Sequence, residues 1–239
     1  FSPLRIGFRT FFGNLDGAMD YFEHIDTLGQ PDLYEGETPI DRVGYYTDLI
    51  AERAAAYVRT ERTEPFYAQV NFTAPHWPWE GRGDEAVGAG IRAGYETGRT
   101  PFPLLHLDGG SLAKYAELVE TMDDAIGAIL TALDEAGIAD DTLVVFCSDN
   151  GGERWSMNWP FVGEKGDVTE GGVRVPFLLR WPAAVSAHQV ADHPNVTMDW
   201  TATFLDAAGV APHDGYPLDG VSLLPWLVAA APYPEHDLF

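Results

Sequence analysis

One stretch constrains this chain more than any other. Residues 142–146 (TLVVF) are β-branched and apolar, the composition of a buried strand. The strand stops abruptly at Cys147-Ser148-Asp149-Asn150-Gly151-Gly152. In a parallel α/β sheet, ligands bind in the crevice beyond the carboxyl ends of the strands. An Asp and an Asn placed there offer a carboxylate and a neutral carbonyl oxygen, the hard ligands that Ca²⁺ or Mg²⁺ prefers. The two glycines let the backbone turn away tightly. Lys165 follows in a loop flanked by Gly163 and Gly166, and residues 173–181 read as the next buried strand.

A bare Asp-Asn-Gly-Gly reads as an ordinary turn after a strand. Lys165-Gly166 and the run 170–176 (EGGVRVP) in register with it change that reading. The whole stretch resembles the type I sulfatases of the alkaline-phosphatase superfamily, whose strand ends in S-D-N-G-G and continues G-x-K-G…E-G-G-x-R-x-P. Two positions depart from the family pattern: Val162 stands where Arg is common, and Glu164 where a small residue is common.

Length and charge narrow the field. The 239 residues are enough for one large domain or two small ones. A net charge of −23 argues against nucleic acid or an anionic membrane surface as a partner. It also obliges any anionic substrate to find a locally positive pocket. Only two of the fourteen basic residues are lysines, Lys114 and Lys165, so a lysine in the motif loop stands out. No apolar run is long enough to span a membrane. A single cysteine excludes an internal disulfide, and Cys147 is expected to act as a small buried hydrophobe at the end of its strand.

Taken in order, residues 5–24 (RIGFRTFFGNLDGAMDYFEH) read as a compact loop with short elements, and His24 as a packing histidine. Tyr46, Leu49, Ile50, Arg53, Ala54, Tyr57 and Val58 lie at helical spacing. Residues 65–72 (PFYAQVNF) read as a strand, closed by Thr73-Ala74-Pro75-His76-Trp77-Pro78. The prolines fix the backbone on both sides of His76 and leave its imidazole at a strand's carboxyl end. Residues 82–110 carry many Gly and Pro and read as a long surface loop, within which Arg92, Arg99 and His106 are candidates for leaving-group contacts or plain solvated residues. Residues 112–136 are the clearest helix, ended by Gly137. Asp123 and Asp124, adjacent on that helix, diverge and read as surface charge rather than a metal pair. Arg174 reads either as the ion-pair partner of Glu170 or as a ligand contact, and residues 196–209 as a short helix.

The sulfatase resemblance extends over these segments. Residues 5–24 are similar to the family's G-F-D-x-F-x-G…D-Y-y-x-H, His76 sits in its strand-a-P-H-x-P, and residues 218–225 match l-D-G-x-S-L-l-P. The fold implied is an α/β sandwich with a mainly parallel central sheet flanked by helices on both faces, alkaline-phosphatase-like; the alternation of strands and helices agrees. The activity implied is hydrolysis of a sulfuric ester, a small-molecule or saccharide sulfate, by a formylglycine and a divalent cation, Ca²⁺ first and Mg²⁺ as the alternative. Asp149 and Asn150 would be metal ligands; His76 and Lys165 would bind the sulfate and assist the leaving oxygen. The formylglycine motif C/S-x-P-S-R and the family's K-W-H-x-G do not occur in the chain. Residues 1–239 are therefore expected to be part of a catalytic domain, without its N-terminal part and C-terminal subdomain, and inactive alone. A phosphodiesterase or phosphonate hydrolase of the same superfamily, or a non-catalytic anion-binding protein, remain the alternatives. A periplasmic or extracellular home is what the family implies.

Overall fold

The computed structural model describes residues 2–98, 102–229 and 231–237. The chain divides into two compact units. One takes in Phe1–Glu61, Tyr67–Ala136 and Ser148–Pro176; the other takes in Arg62–Phe66, Gly137–Cys147 and Phe177–Phe239.

The first unit opens on a small antiparallel sheet, β1 (Phe12–Gly13), β2 (Tyr34–Glu35) and β3 (Thr38–Pro39), in the order β1-β2-β3. Helix α1 (Tyr46–Arg59) follows as its spacing requires, burying Tyr46, Leu49, Ile50, Ala55 and Val58. Arg53 stays at the edge and pairs with Glu35. Helix α3 (Leu112–Glu135) packs against α1. It starts at Ser111, whose hydroxyl accepts from the Lys114 N–H at 3.1 Å, and ends at Gly137 with φ +69°. Asp123 and Asp124 are exposed, as a solvated face should be. Asp124 meets Arg82 at 2.9 Å, and the same guanidinium reaches Asp48 of α1 at 2.6 Å. The core between these elements holds Met19, Tyr21, Leu33, Tyr45, Leu118 and Ala74 beside the α1 residues.

Two expectations fail in this unit. Residues 82–110 are not one long loop: α2 (Glu85–Thr97) and a 3₁₀ turn (Pro103–Leu105) lie within them. Gly88, Gly90 and Gly94 lower the intrinsic helix propensity, but Val87, Ile91 and Tyr95 share a face that packs with Ala18, Ile25, Leu104 and Trp77. Gly94 packs closely there: a Cβ would lie 3.0 Å from the Pro103 ring, tighter than an ordinary contact. Residues 65–72 form neither a helix nor a ladder among the described residues. Their composition specifies an extended backbone; a strand also needs a partner, which composition does not specify.

The first unit closes with the one-turn helix α4 (Glu170–Val173). Arg174 pairs with Glu170 at 3.1 Å, the structural one of its two expected roles, and lies over the Phe161 ring.

The second unit holds β4 (Val144–Cys147) and β5 (Phe177–Arg180), paired antiparallel with Val145 opposite Leu179. The described ladders are thus all antiparallel, not the mainly parallel set expected. β4 is half-buried, and Cys147 at its end is exposed instead of buried, because a two-stranded ribbon leaves its outer edges open. Helix α5 (Thr197–Ala207) is anchored by the buried Asp199, which accepts from Val196 N–H at 3.1 Å and Val221 N–H at 3.0 Å. Helix α6 (Leu224–Ala229) follows.

Candidate active site

The site is assembled in the first unit from three segments far apart in sequence. The first is the turn at residues 73–78, where His76 N–H donates to Thr73 C=O at 2.8 Å. The second is residues 148–153. The third is the loop at residues 162–167, bound to the second where Lys165 N–H donates to Gly152 C=O at 3.1 Å and to α4 where Gly171 N–H donates to Val162 C=O at 2.8 Å.

The glycines of the motif serve this backbone packing. Gly151 N–H donates to Gly172 C=O at 2.8 Å. A Cβ on Gly172 would lie 2.1 Å from Asp167 O, and one on Gly171 2.2 Å from Gly163 O. Only chains without side chains can cross so closely. Asn158 then braces the loop: its Oδ1 accepts from Gly152 N–H at 3.0 Å, and its Nδ2 donates to Gly152 C=O at 3.0 Å and Gly163 C=O at 3.1 Å.

The result brings Lys165 Nζ within 2.9 Å of His76 Nε2. The imidazole's other nitrogen, Nδ1, lies 2.8 Å from Trp77 C=O. A carbonyl only accepts, so Nδ1 carries the hydrogen and Nε2 is the lone-pair nitrogen that accepts from the Lys165 ammonium. Burial pushes the His76 pKa below the usual histidine value, and the Lys165 charge adds to the effect. Trp77 C=O, Glu153 and Asp149 act in the opposite sense without overcoming burial. His76 is held neutral, with its acceptor nitrogen on the only lysine of the motif loop.

Glu153 was not singled out by the sequence, although it follows Gly151-Gly152 directly. Its Oε2 accepts from Trp77 Nε1 at 3.2 Å and lies 3.9 Å from Lys165 Nζ; its Oε1 meets Arg154 Nε at 3.2 Å. Glu153 thus steers Lys165 at long range while being occupied by Trp77 and Arg154. Arg154 is itself engaged, donating to Leu105 C=O at 2.9 Å and lying over the Trp79 ring.

Asp149 is exposed and Asn150 half-buried. Asp149 Oδ1 accepts from Asn150 N–H at 2.9 Å, and Asn150 Nδ2 donates to Gly151 C=O at 3.1 Å. The latter bond fixes the amide so that Oδ1 is its acceptor atom. A carboxylate and an amide oxygen are the donors a hard divalent cation takes, so the pair fits one. Among the described residues no three His, Cys, Asp or Glu side chains converge to hold an ion. Of the other candidates, Arg92 on α2 is ion-paired with Glu23, and His106 Nδ1 accepts from Trp79 N–H at 3.1 Å. Both are structural. Arg99 lies outside the described residues. His24 is buried against Tyr46, the packing role expected.

The family model described as Sulfatase matches residues 5–210. The chain belongs to the sulfatase family. Mouse steryl-sulfatase is 35% identical over 217 residues, covering 86% of this sulfatase chain and 31% of its own length. Human N-acetylgalactosamine-6-sulfatase is 30% identical over 249 residues, covering 95% of this chain and 43% of its own. The crystal structure of Ps i-CgsB in complex with k-i-k-neocarrahexaose superimposes with a TM-score of 0.77 at 27% identity, over 94% of this chain and 51% of that one. The chain therefore spans less than half the length of these curated relatives. The structural likeness assigns the alkaline-phosphatase-like α/β fold. No helix among the described residues is long and apolar enough to cross a membrane.

Proposed function

We propose that this chain is the part of a sulfuric ester hydrolase that binds and orients the sulfate group, with His76 and Lys165 as its working residues. The observation that carries the reading is the 2.9 Å contact between Lys165 Nζ and His76 Nε2, from segments 89 residues apart. A chain of net charge −23 has brought one of its two lysines to a neutral imidazole instead of a close carboxylate. Lys165 is thereby left with positive charge to offer an anion, since Glu153 stands 3.9 Å away with its oxygens otherwise engaged.

Lys165 would bind a sulfate oxygen and the bridging oxygen, lowering the energy of the negative charge that develops as the ester bond breaks. His76, fixed by Trp77 C=O, would take a proton at Nε2 from the Lys165 ammonium and pass it to the departing alkoxide, which leaves as the alcohol while Lys165 is left as the neutral amine. Asp149 and Asn150 would hold the divalent cation, Ca²⁺ or Mg²⁺, that supplies Lewis-acid stabilisation of the sulfate oxygens when bound. The formylglycine nucleophile of such a reaction is not among these 239 residues, so the chain alone is read as a partial catalytic domain without turnover. In the complete domain a mainly parallel central sheet flanked by helices would complete the fold.

The substrate class is a small-molecule or saccharide sulfate ester, in keeping with relatives named for steryl and N-acetylgalactosamine 6-sulfates. The test is turnover by the complete protein on an aryl sulfate, a steryl sulfate and sulfated oligosaccharides, beside a phosphodiester. Sulfate release that Lys165→Ala lowers by about 10²-fold or more is the expected result, the size of effect seen when one oxyanion-stabilising donor is lost. Release of phosphate in preference to sulfate, or a Lys165→Ala variant with full activity, would overturn it.

A further inference from the structure

Behind the turn that carries His76, two carboxyl groups are buried together. Asp20 and Glu80 are each 0% exposed. Asp20 Oδ1 accepts from Phe22 N–H at 2.9 Å and Glu23 N–H at 2.7 Å, and Glu80 Oε2 accepts from Tyr21 N–H at 3.0 Å. The other oxygen of each, Asp20 Oδ2 and Glu80 Oε1, is buried and receives no hydrogen bond from a donor among the described residues. The two side chains lie within hydrogen-bonding reach of each other. Helix α2 lies over both: a Cβ on Gly88 would be 3.0 Å from Asp20 Oδ1 and 3.3 Å from Glu80 Oε1.

Two ionised carboxylates cannot face each other in such a place. Burial disfavours each charge, and their repulsion disfavours the second further. A single proton between the two bare oxygens converts the repulsion into a short charge-assisted O–H···O bond. We infer that Asp20 and Glu80 share one proton through Oδ2 and Oε1, and that the protonated pair is a positioning device for His76.

The connection to His76 runs through Tyr21. Its N–H is held by Glu80 Oε2, and its hydroxyl donates to His76 C=O at 2.9 Å. Tyr45, stacked on Tyr21 at 5.3 Å, donates to Glu80 C=O at 2.8 Å. The turn from residue 76 to residue 80 is therefore held at both ends by a tyrosine pair, and the acid pair ties that turn to the segment bearing Tyr21. Losing the shared proton separates Asp20 from Glu80 and releases the tie.

The surroundings keep the proton in place. Burial raises both carboxyls, and Asp20 raises Glu80 further, to about 9, while the bond to Glu80 and the Phe22 and Glu23 N–H groups lower Asp20 without overcoming its burial. Glu23 on the Asp20 segment and Asp84 before α2 add negative charge, which works in the same direction. Lys114 of α3 is engaged by Asp84 and Glu117, each at 2.6 Å. His24 and His106, the nearby imidazoles that feel Asp20, are held neutral by burial; Tyr21, Tyr45 and Tyr46 have raised pKa values and remain protonated.

Glu80→Gln separates the positioning role from mere packing. Its amide oxygen can still accept from Tyr21 N–H, and its NH₂ can donate to Asp20 Oδ2, so the tie survives without a titratable proton. Glu80→Ala removes both. In infrared spectra of the complete protein near pH 7, the wild type should show a protonated-carboxyl C=O band that Glu80→Gln removes. Turnover rests on the sulfate-hydrolysis reading above. There, wild-type kcat should fall as pH rises toward about 9 with KM little changed, the signature of a lost transition-state contact. Glu80→Gln should stay within about threefold of wild type at pH 7 and lose the alkaline fall, while Glu80→Ala should lose about tenfold or more in kcat. A wild type without the carboxyl band, or Gln and Ala variants with the same kcat and pH profile, would overturn the inference. If the wild type hydrolyses no sulfate ester, the functional reading fails, and the infrared band alone still decides whether the proton is shared.

Discussion

Gly151 and Gly171 are in backbone-to-backbone contact: a Cβ on Gly151 would fall 1.8 Å from the Gly171 carbonyl oxygen. That contact, with the Gly151 N–H to Gly172 C=O bond, joins the Asp149-Asn150 turn to α4 and so to the Lys165 loop. Neither residue has a flexible side chain that could retreat.

Gly151→Ala should therefore be destabilising by about 1–3 kcal/mol or more, the usual range for overpacking, because backbone must move to admit it. Gly17 is the matched control, with no atom within 4 Å of its would-be Cβ and no positive φ. Gly17→Ala should be neutral or slightly stabilising through the unfolded chain. Denaturant unfolding of both variants against the parent chain measures the difference, and equal midpoints would refute the close-contact account.

Lys165 also sets the ionisation of His76. Its charge is the second of the forces holding the ring neutral, after burial. Lys165→Met should raise the His76 pKa, but leave it below about 6.5, since the burial remains. A ¹H–¹⁵N titration of the imidazole reads this directly. An unchanged midpoint would mean that the 2.9 Å contact is not made in solution.

Much of this site was legible because the chain combines unusual residues at fixed spacing. His76 between prolines, Lys165 in its Gly-flanked loop and Asp149-Asn150 after an apolar run would each read alone as packing or a turn; their joint resemblance to the sulfatase motifs singled them out, and the structure brings His76 and Lys165 together. Glu153 and Trp77 were missed because their part depends on a contact across 76 residues that no local pattern encodes. Asp20 and Glu80 were invisible for the same reason, since an acid in sequence gives no sign that it is buried. Helix α1 was readable from its apolar spacing. Helix α2 was hidden by three glycines, which Ile91 and Tyr95 override by packing. A strand at residues 65–72 was expected from composition and is not formed among the described residues, because a strand also needs a partner that composition does not specify.

Arg82 joins α1 and α3 by holding Asp48 at 2.6 Å and Asp124 at 2.9 Å, yet its side chain is 44% exposed. Such pairs contribute about 0.2–1 kcal/mol each and are screened by salt. Arg82→Ala should lower stability by about 1 kcal/mol in dilute buffer and by less in about 1 M NaCl. A loss that does not shrink with salt would assign Arg82 a packing role instead.

Stability should be bounded on both sides by pH. His24, His76 and His106 all have pKa values lowered by burial, so the folded chain keeps them neutral when the unfolded chain would protonate them. Their contribution is complete above about 6.5, the unfolded value, and is lost as pH falls through the lower folded values. Asp20 and Glu80 act with the opposite sign. Their raised values mean that the native state retains a proton which the unfolded chain releases above about 4.3, so stability declines as pH rises toward about 9. Melting temperatures across the range should therefore pass through a maximum between these limbs. Glu80→Gln should flatten the alkaline limb and leave the acid limb as it was, whereas a variant that moves both limbs together would show that one titrating group has been mistaken for two.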